Sequence, residues 1–151
     1  MKVVLLGEGR WKVYAVCSSE TTCPLLDFID KLDEKRGAKV LADLRTYVPH
    51  SNASEWARNK FSWHLRGSDA ILEFRWPAKK GGTPRVYWFY DENRLVVCAD
   101  GTSKKGDTDE TDIRSAEKVK KSFVAARESG QLKVVKLADF DPPEDEESGN
   151  G

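Results

Sequence analysis

Residues 85–99, RVYWFYDENRLVVCA, carry the strongest folding signal in this chain of 151 residues. The first six alternate between two faces of a strand: Val86, Trp88 and Tyr90 against Arg85, Tyr87 and Phe89. The polar triplet DEN supplies a tight reversal, and the apolar run RLVVCA returns beside the first strand. The pattern predicts an antiparallel hairpin that is largely apolar on both faces.

The same period of two continues upstream in ILEFRW, residues 71–76. Its two faces carry different side chains: Leu72, Phe74 and Trp76 against Ile71, Glu73 and Arg75. The linker AKKGGTP is a flexible basic turn that joins this strand to the next. The three strands together predict an antiparallel meander in which arginines interrupt one of the two faces.

Upstream of the meander the sequence predicts a first hairpin and two helices. Residues 2–6 and 11–17 flank the turn GEGR and read as two short strands. Pro24 provides a preset φ at the start of a helix, and apolar residues then recur at helical spacing. We expect a break at Gly37 and a second helix that ends at Pro49.

Downstream, residues 109–128 predict a third helix capped by Asp109 or Thr111. Residues 131–137 form either a further strand or an extended surface segment. This order of elements predicts an α+β fold: an antiparallel sheet, made of the meander and the N-terminal strands, with a helical hairpin and a C-terminal helix. We expect the helices on one face of that sheet.

The net charge of zero conceals an uneven distribution. Six of the 25 acidic residues and none of the 25 basic ones follow Lys136, so residues 1–136 carry a net charge of +6. The composition predicts one folded domain over residues 1–137 and an acidic, disordered tail over residues 138–151. The basic domain indicates an anionic partner.

Several classes of protein are disfavoured. No apolar run approaches the ~20 residues of a membrane span, and the N-terminus lacks a secretory leader, so we expect a cytoplasmic protein with no membrane partner. Phosphate-binding loops, nucleophile elbows and zinc-protease motifs are missing. The possible zinc ligands are three cysteines and two histidines, Cys17, Cys23, Cys98, His50 and His64. They are not spaced for a zinc site, so we predict that the cysteines are buried thiols and that the protein binds no metal and no cofactor.

Cations gather at the start of the meander, on two of its strands and at its exit: Arg66, Arg75, Arg85, Lys104 and Lys105. Lys104 and Lys105 leave a buried strand with no carboxylate beside them before Asp107. Because a meander folds these segments together, the cations can converge on a patch floored by aromatic rings, which suits RNA. The alternative is that each cation extends separately into solvent.

Five segments in this order resemble the RelE/ParE toxin superfamily, and most of all the HigB-like, phage-associated branch of type II toxin–antitoxin systems. The resemblance covers about residues 24–127. It rests on these motifs: His64-Leu65-Arg66-Gly67-Ser68, Glu73-Phe74-Arg75, Arg85-Val86-Tyr87, Gly101 through Lys105, and Asp112-Ile113.

The resemblance implies a RelE-like, metal-independent endoribonuclease. Such a toxin cleaves mRNA, often on the ribosome, to arrest growth, and a cognate antitoxin of the helix-turn-helix type holds it inactive. By position, Arg75 and Arg85 are expected to hold the scissile phosphate. Lys104 or Lys105 is expected near the nucleophile or the leaving oxygen, with a lowered pKa if it acts as a base. Further substrate contacts are expected from four residues: Arg66, Lys79, Lys80 and Tyr87.

Two other functions remain open. One is a ParE-like inhibitor of DNA gyrase, against which Arg85, Lys104 and Lys105 argue. The other is a non-catalytic module that binds RNA or an antitoxin. It is favoured by the terminal segment, which has no Tyr or His to serve as a late acid or stacking residue.

Overall fold

The computed structural model describes residues 1–65, 67–68, 70–78, 80–92 and 94–140. The helices are α1 Pro24–Lys31, α2 Glu34–Ala42, which continues into a π-helical turn Asp43–Tyr47, α3 Ala53–Arg58 and α4 Glu110–Glu128. The strands are β1 Lys2–Glu8, β2 Lys12–Val16, β3 Ser62–His64, β4 Leu72–Arg75, β5 Thr83–Asp91, β6 Leu95–Lys104 and β7 Lys133–Lys136. Over the described residues these strands form one sheet in the order β3-β4-β5-β6-β2-β1-β7.

The predicted meander is confirmed. Strands β4, β5 and β6 pair antiparallel, with Arg75 opposite Arg85 and Arg85 opposite Thr102. The N-terminal hairpin is also antiparallel, but β2 joins β6 in parallel and β7 joins β1 in parallel. The sheet is therefore mostly rather than wholly antiparallel. Alternation within a strand reports its two faces and carries no information about which strand lies beside it.

Helices cover both faces of the sheet, which corrects the expectation that they share one. Phe74 and Trp88 pack toward the layer of α1, α2 and α3, where Trp56 is fully buried. Tyr87 and Phe89 pack on the opposite face against α4, which contributes Phe123. The physical reason lies in the strands themselves, since both sets of alternating side chains are apolar and each needs a covering layer.

The break between the first two helices lies at Leu32 and Asp33 and not at the predicted Gly37. Asp33 caps α2 by accepting a hydrogen bond from the backbone N–H of Arg36. Gly37 lies inside α2, where a Cβ atom would stand 2.9 Å from the carbonyl oxygen of Ile29. That glycine permits close packing of α1 on α2.

Toward the C-terminus, α4 begins as predicted, because the Asp109 side chain accepts a hydrogen bond from the N–H of Thr111. The chain then adds β7 and a 3-10 turn, Leu137–Asp139. The ammonium of Lys2 lies 5.2 Å from the centre of the Phe140 ring. The rest of the predicted acidic tail, residues 141–151, lies outside the described residues. Among the residues that the structure describes, no helix is long and apolar enough to cross a bilayer.

Candidate functional site

A buried carboxylate organises the end of the meander beneath α4. Strand alternation places Glu73, Arg75 and Arg85 on the face that α4 covers, and the register sets the two arginines opposite each other. The Glu73 side chain is fully buried. A buried carboxylate is costly unless cations and hydrogen bonds surround it, so its partners define the local structure.

Glu73 is contacted by both arginines and by a threonine hydroxyl. Arg75 donates its Nε–H to Oε1, and Nη1 of Arg85 lies 3.6 Å from the same oxygen. The hydroxyl of Thr108 donates to Oε2 at 2.5 Å. Arg85 also donates to Thr108 Oγ1 at 3.0 Å and to the carbonyl oxygen of Gly106. This network ties β4 and β5 to the loop that precedes α4.

The two arginines predicted to hold phosphate differ in access. Arg85 is only 5% exposed, and the network around Glu73 occupies both terminal nitrogens of its guanidinium. The Arg75 side chain is 29% exposed, and its guanidinium lies 4.4 Å from the centre of the Trp63 ring. In this conformation Arg75 can contact a ligand, whereas Arg85 is buried and holds Glu73, Thr108 and Gly106 together.

Arg75 opens into a cleft of about 510 Å³ beside Trp63, Leu65 and Thr108. Two residues with groups able to exchange protons also line this cleft, His64 and Asp107. No sequence pattern predicted Trp63 or Thr108 as site residues. His64 stood directly before the meander, and the antiparallel pairing of β3 with β4 brings it to the cleft.

Lys104 has partners, which corrects the expectation that it leaves the strand unpaired. Its Nζ lies 2.5 Å from Asp112 Oδ2 and 3.1 Å from Asp109 Oδ2. The hydrogen bond to Asp112 raises the pKa of Lys104, and the bond to Asp109 acts in the same direction. A raised pKa contradicts the expected lowering for a lysine base. The carboxylates were missed because they approach from the first turn of α4 and not from the adjacent chain.

The other predicted contacts are dispersed. Tyr87 is 2% exposed, its hydroxyl donates to Asp112 Oδ2 at 3.2 Å, and burial is the main cause that raises its pKa. Lys105 is exposed and lines a second cleft with Lys80. Arg66 and Lys79 lie outside the described residues. The structure thus brings Arg75, Arg85 and Tyr87 to one face of the sheet and places Lys80 and Lys105 in a separate cleft.

The three cysteines are buried free thiols, as predicted. Burial raises the pKa of Cys23 to about 12, which leaves it protonated near neutral pH. Within the described ranges, no three His, Cys, Asp or Glu side chains are grouped as metal ligands.

Lys104→Met is expected to destabilise the protein at neutral pH, by an amount that shrinks in acid. The pKa of Asp109 is lowered, first by the hydrogen bond from the N–H of Thr111 and then by Lys104. The stability that this carboxylate contributes is therefore fully present above its unfolded pKa of ~3.9, and it is lost as the pH falls through the lower pKa of the folded state. The raised pKa of Lys104 leaves its contribution complete below ~10.4. Urea unfolding of both proteins at pH 7 and pH 2.5 measures the change, and an equal difference at the two pH values would contradict it.

Comparison with known families adds one finding. Residues 27–121 match the family described as "Phage derived protein Gp49-like (DUF891)". The matched stretch runs from α1 into α4 and therefore contains Glu73, Arg75 and the cleft beside them. No curated protein matches the chain.

Proposed function

Because the chain belongs to the Gp49-like family of phage-derived proteins, a RelE/toxin-like family of toxin–antitoxin systems, we propose that it is the toxin of a type II system. We place it in the HigB-like branch and assign it metal-independent cleavage of mRNA, performed on translating ribosomes. Its partner in this proposal is a cognate antitoxin of the helix-turn-helix type.

The arrangement of Arg75 is the observation that supports cleavage. Its guanidinium donates a hydrogen bond to Glu73 and lies over the ring of Trp63, and part of it remains exposed to the cleft. A guanidinium offers paired N–H donors to phosphate oxygens, and an adjacent indole offers a face for a splayed base. This combination suits a single strand of RNA better than a duplex, whose bases are stacked.

In the proposed reaction, the ribose 2′-hydroxyl loses its proton and its oxygen attacks the adjacent phosphorus. The bond from phosphorus to the 5′-oxygen then breaks, and that oxygen takes up a proton. The products are a 2′,3′-cyclic phosphate and a 5′-hydroxyl, with no oxidant or metal required. Arg75 stabilises the charge that develops on the phosphoryl oxygens. His64 or Asp107 accepts and donates the protons.

The remaining cations prepare the site. Arg85 compensates the charge of Glu73 so that this carboxylate can fix Arg75 without an uncompensated charge in the core. Lys104 binds the first turn of α4 to the end of β6 through Asp109 and Asp112. These residues hold the loop over residues 105–109, which carries Asp107 and Thr108 into the cleft.

Arg75→Ala is expected to reduce mRNA cleavage by about 10²–10³-fold, the usual cost of one lost donor to a transition-state oxyanion. The measurement is mapping of mRNA 5′ ends after induction in growing cells, with wild type and Arg114→Ala as references. Arg114 is an exposed arginine on α4, paired with Glu110, and serves as a matched charge control. His64→Gln and Asp107→Asn, tested alongside, identify the proton-transfer group by a loss of comparable size.

New 5′ ends from wild type that persist in Arg75→Ala would remove Arg75 from the reaction. Growth arrest without new 5′ ends but with DNA breaks would replace the ribonuclease by a ParE-like inhibitor of gyrase.

A non-catalytic module that binds RNA or antitoxin is the second candidate function. It is favoured by the burial of Arg85 and the ion pairs of Lys104, which leave fewer exposed cations at the cleft than expected. Folded protein with neither toxicity nor cleavage would establish that candidate.

A further inference from the structure

A second basic cleft lies at the end of the hairpin between β4 and β5. Lys80, Gly81, Gly82 and Thr83 form one side of it, and Lys105 stands on the other. Thr83 is paired with Lys104, so Lys105 is the first residue beyond the paired end of β6. The cleft has a volume of about 440 Å³ and contains no aromatic side chain among its lining residues.

The backbone fixes the two sides of this cleft against each other. Gly82 has φ +83°, and a Cβ atom there would stand 3.1 Å from the backbone N and C atoms of Lys104. Only glycine fits both the left-handed conformation and this close approach. From below, Nη1 of Arg36 donates to the carbonyl oxygen of Lys80 at 3.4 Å. Lys80 and Lys105 are therefore presented by an anchored turn.

Among the residues that the structure describes, no carboxylate forms an ion pair with the two lysines of this cleft. Arg36 already binds the carboxylate of Asp33, which offsets its charge. Lys104 is engaged by α4 on the other face of the strand end. The ion pairs formed among the described residues include neither Lys80 nor Lys105. Two lysine ammonium groups beside one anchored turn favour a small anion with two exposed oxygens, such as a phosphodiester.

The cleft lies close to Arg75. Arg75 on β4 is opposite Arg85 on β5, which is opposite Thr102 on β6. Lys104 is two residues beyond Thr102 on β6. A rise of ~3.3 Å per residue and a spacing of ~4.8 Å between strands put the backbones of Arg75 and Lys104 about 12 Å apart, and Lys105 of the cleft is one residue further along the chain. A short single strand of RNA bound at Arg75 has the length to reach the second cleft.

We propose that Lys80 and Lys105, with the Gly81-Gly82 turn, form a second phosphate subsite for the same RNA strand that Arg75 binds. This inference rests on the proposed ribonuclease function and adds to it the path of the substrate. Because ammonium groups act as point charges and no base-reading side chain lines the cleft, the subsite contributes affinity irrespective of base sequence. It favours substrates long enough to span both clefts.

The test is binding of 2′-O-methyl oligonucleotides, which lack the nucleophilic hydroxyl and stay uncleaved. Fluorescence anisotropy compares wild type, the double variant Lys80→Ala with Lys105→Ala, and a control double variant, Lys133→Ala with Lys136→Ala. The control residues are exposed and lie on β7, at the opposite edge of the sheet. The test variant is expected to bind eight-nucleotide RNA about tenfold more weakly at ~0.1 M salt, for every base sequence.

The salt dependence provides the second readout. Each lost phosphate contact flattens the slope of log K against log salt by ~0.7 for single strands, so the test variant is expected to flatten it by up to ~1.4. Dinucleotides, too short to span both clefts, are expected to bind both double variants equally. Equal affinity and slope for the test and control variants on the eight-nucleotide RNA would overturn the subsite alone. Wild type that binds no RNA would overturn the subsite together with the ribonuclease.

Discussion

Glu73→Gln is expected to lower the free energy of unfolding by about 3–5 kcal/mol, the usual cost of removing one partner of a buried ion pair. The change is nearly isosteric, so it creates little cavity. It removes the charge that compensates Arg85, which is 5% exposed, and it leaves Thr108 and Arg75 with a weaker acceptor. Urea denaturation followed by fluorescence of the five tryptophans measures the loss.

The matched control is Glu8→Gln. Glu8 is 57% exposed and lies 3.5 Å from Lys12 in a surface ion pair, so the same chemical change there is expected to cost under about 1 kcal/mol. Similar losses for the two variants would show that water reaches Glu73 and screens its charge. That result would contradict the buried network.

A second pair of variants separates the lost ion pair from the lost carboxylate. Glu73→Leu alone strands the guanidinium of Arg85, whereas Glu73→Leu combined with Arg85→Leu removes both charges. Replacement of a whole buried pair by apolar residues is often nearly neutral, so the double variant is expected to recover part of the stability. No recovery would place the effect in Arg75 or Thr108 instead.

Glu73 also connects stability to the proposed chemistry. The carboxylate that pairs with Arg85 is the one that orients Arg75 over Trp63, so a variant that still folds is expected to hold Arg75 less firmly. Catalytic donors lose effect when their position relaxes. A folded Glu73→Gln protein at low temperature is therefore expected to cleave less RNA while Glu8→Gln cleaves normally.

Much of this arrangement was predictable from alternation along two strands. The period of two in residues 71–76 and 85–90 assigned Glu73 and Arg75 to one face of the first strand and Arg85 to one face of the second. The AKKGGTP linker and the DEN turn predicted the meander that sets these faces side by side. Local chemistry likewise limited the cap of α4 to Asp109 or Thr111, and the structure shows that Asp109 is the cap. These features depend on residues close together in sequence or on a side-chain period that the backbone fixes.

What the sequence did not reveal depends on contacts between distant segments. Thr108 and Asp112 meet Glu73 and Lys104 only after α4 packs across the sheet, so strand periodicity cannot show that these charges are paired. The parallel joining of β2 to β6 has the same cause. A cation that looks unpartnered in one dimension is thus weak support for a phosphate ligand, and Lys104 illustrates this directly.

The aromatic core on the opposite face supplies the other large expected effect. Trp88 is fully buried between Phe74, stacked at 4.5 Å, and the edges of Trp56 and Tyr90 at 5.8 and 4.6 Å. Trp88→Ala removes these contacts and opens a cavity beneath α3, so we expect a loss of about 3–5 kcal/mol in urea denaturation. A loss below 1 kcal/mol would mean that the surrounding layer collapses into the space.

The two fully buried tryptophans, Trp56 and Trp88, allow the packing term to be separated from hydrogen bonding. Trp88 Nε1 has no hydrogen-bond partner among the described residues, whereas Trp56 Nε1 donates to Ser51 Oγ at 2.6 Å. Phenylalanine at either position removes a similar volume, but only Trp56→Phe removes a hydrogen bond. We therefore expect Trp56→Phe to cost about 1 kcal/mol more than Trp88→Phe. The reverse order would indicate that the indole N–H of Trp88 is satisfied by water and that this layer of the core is less dry than its burial indicates.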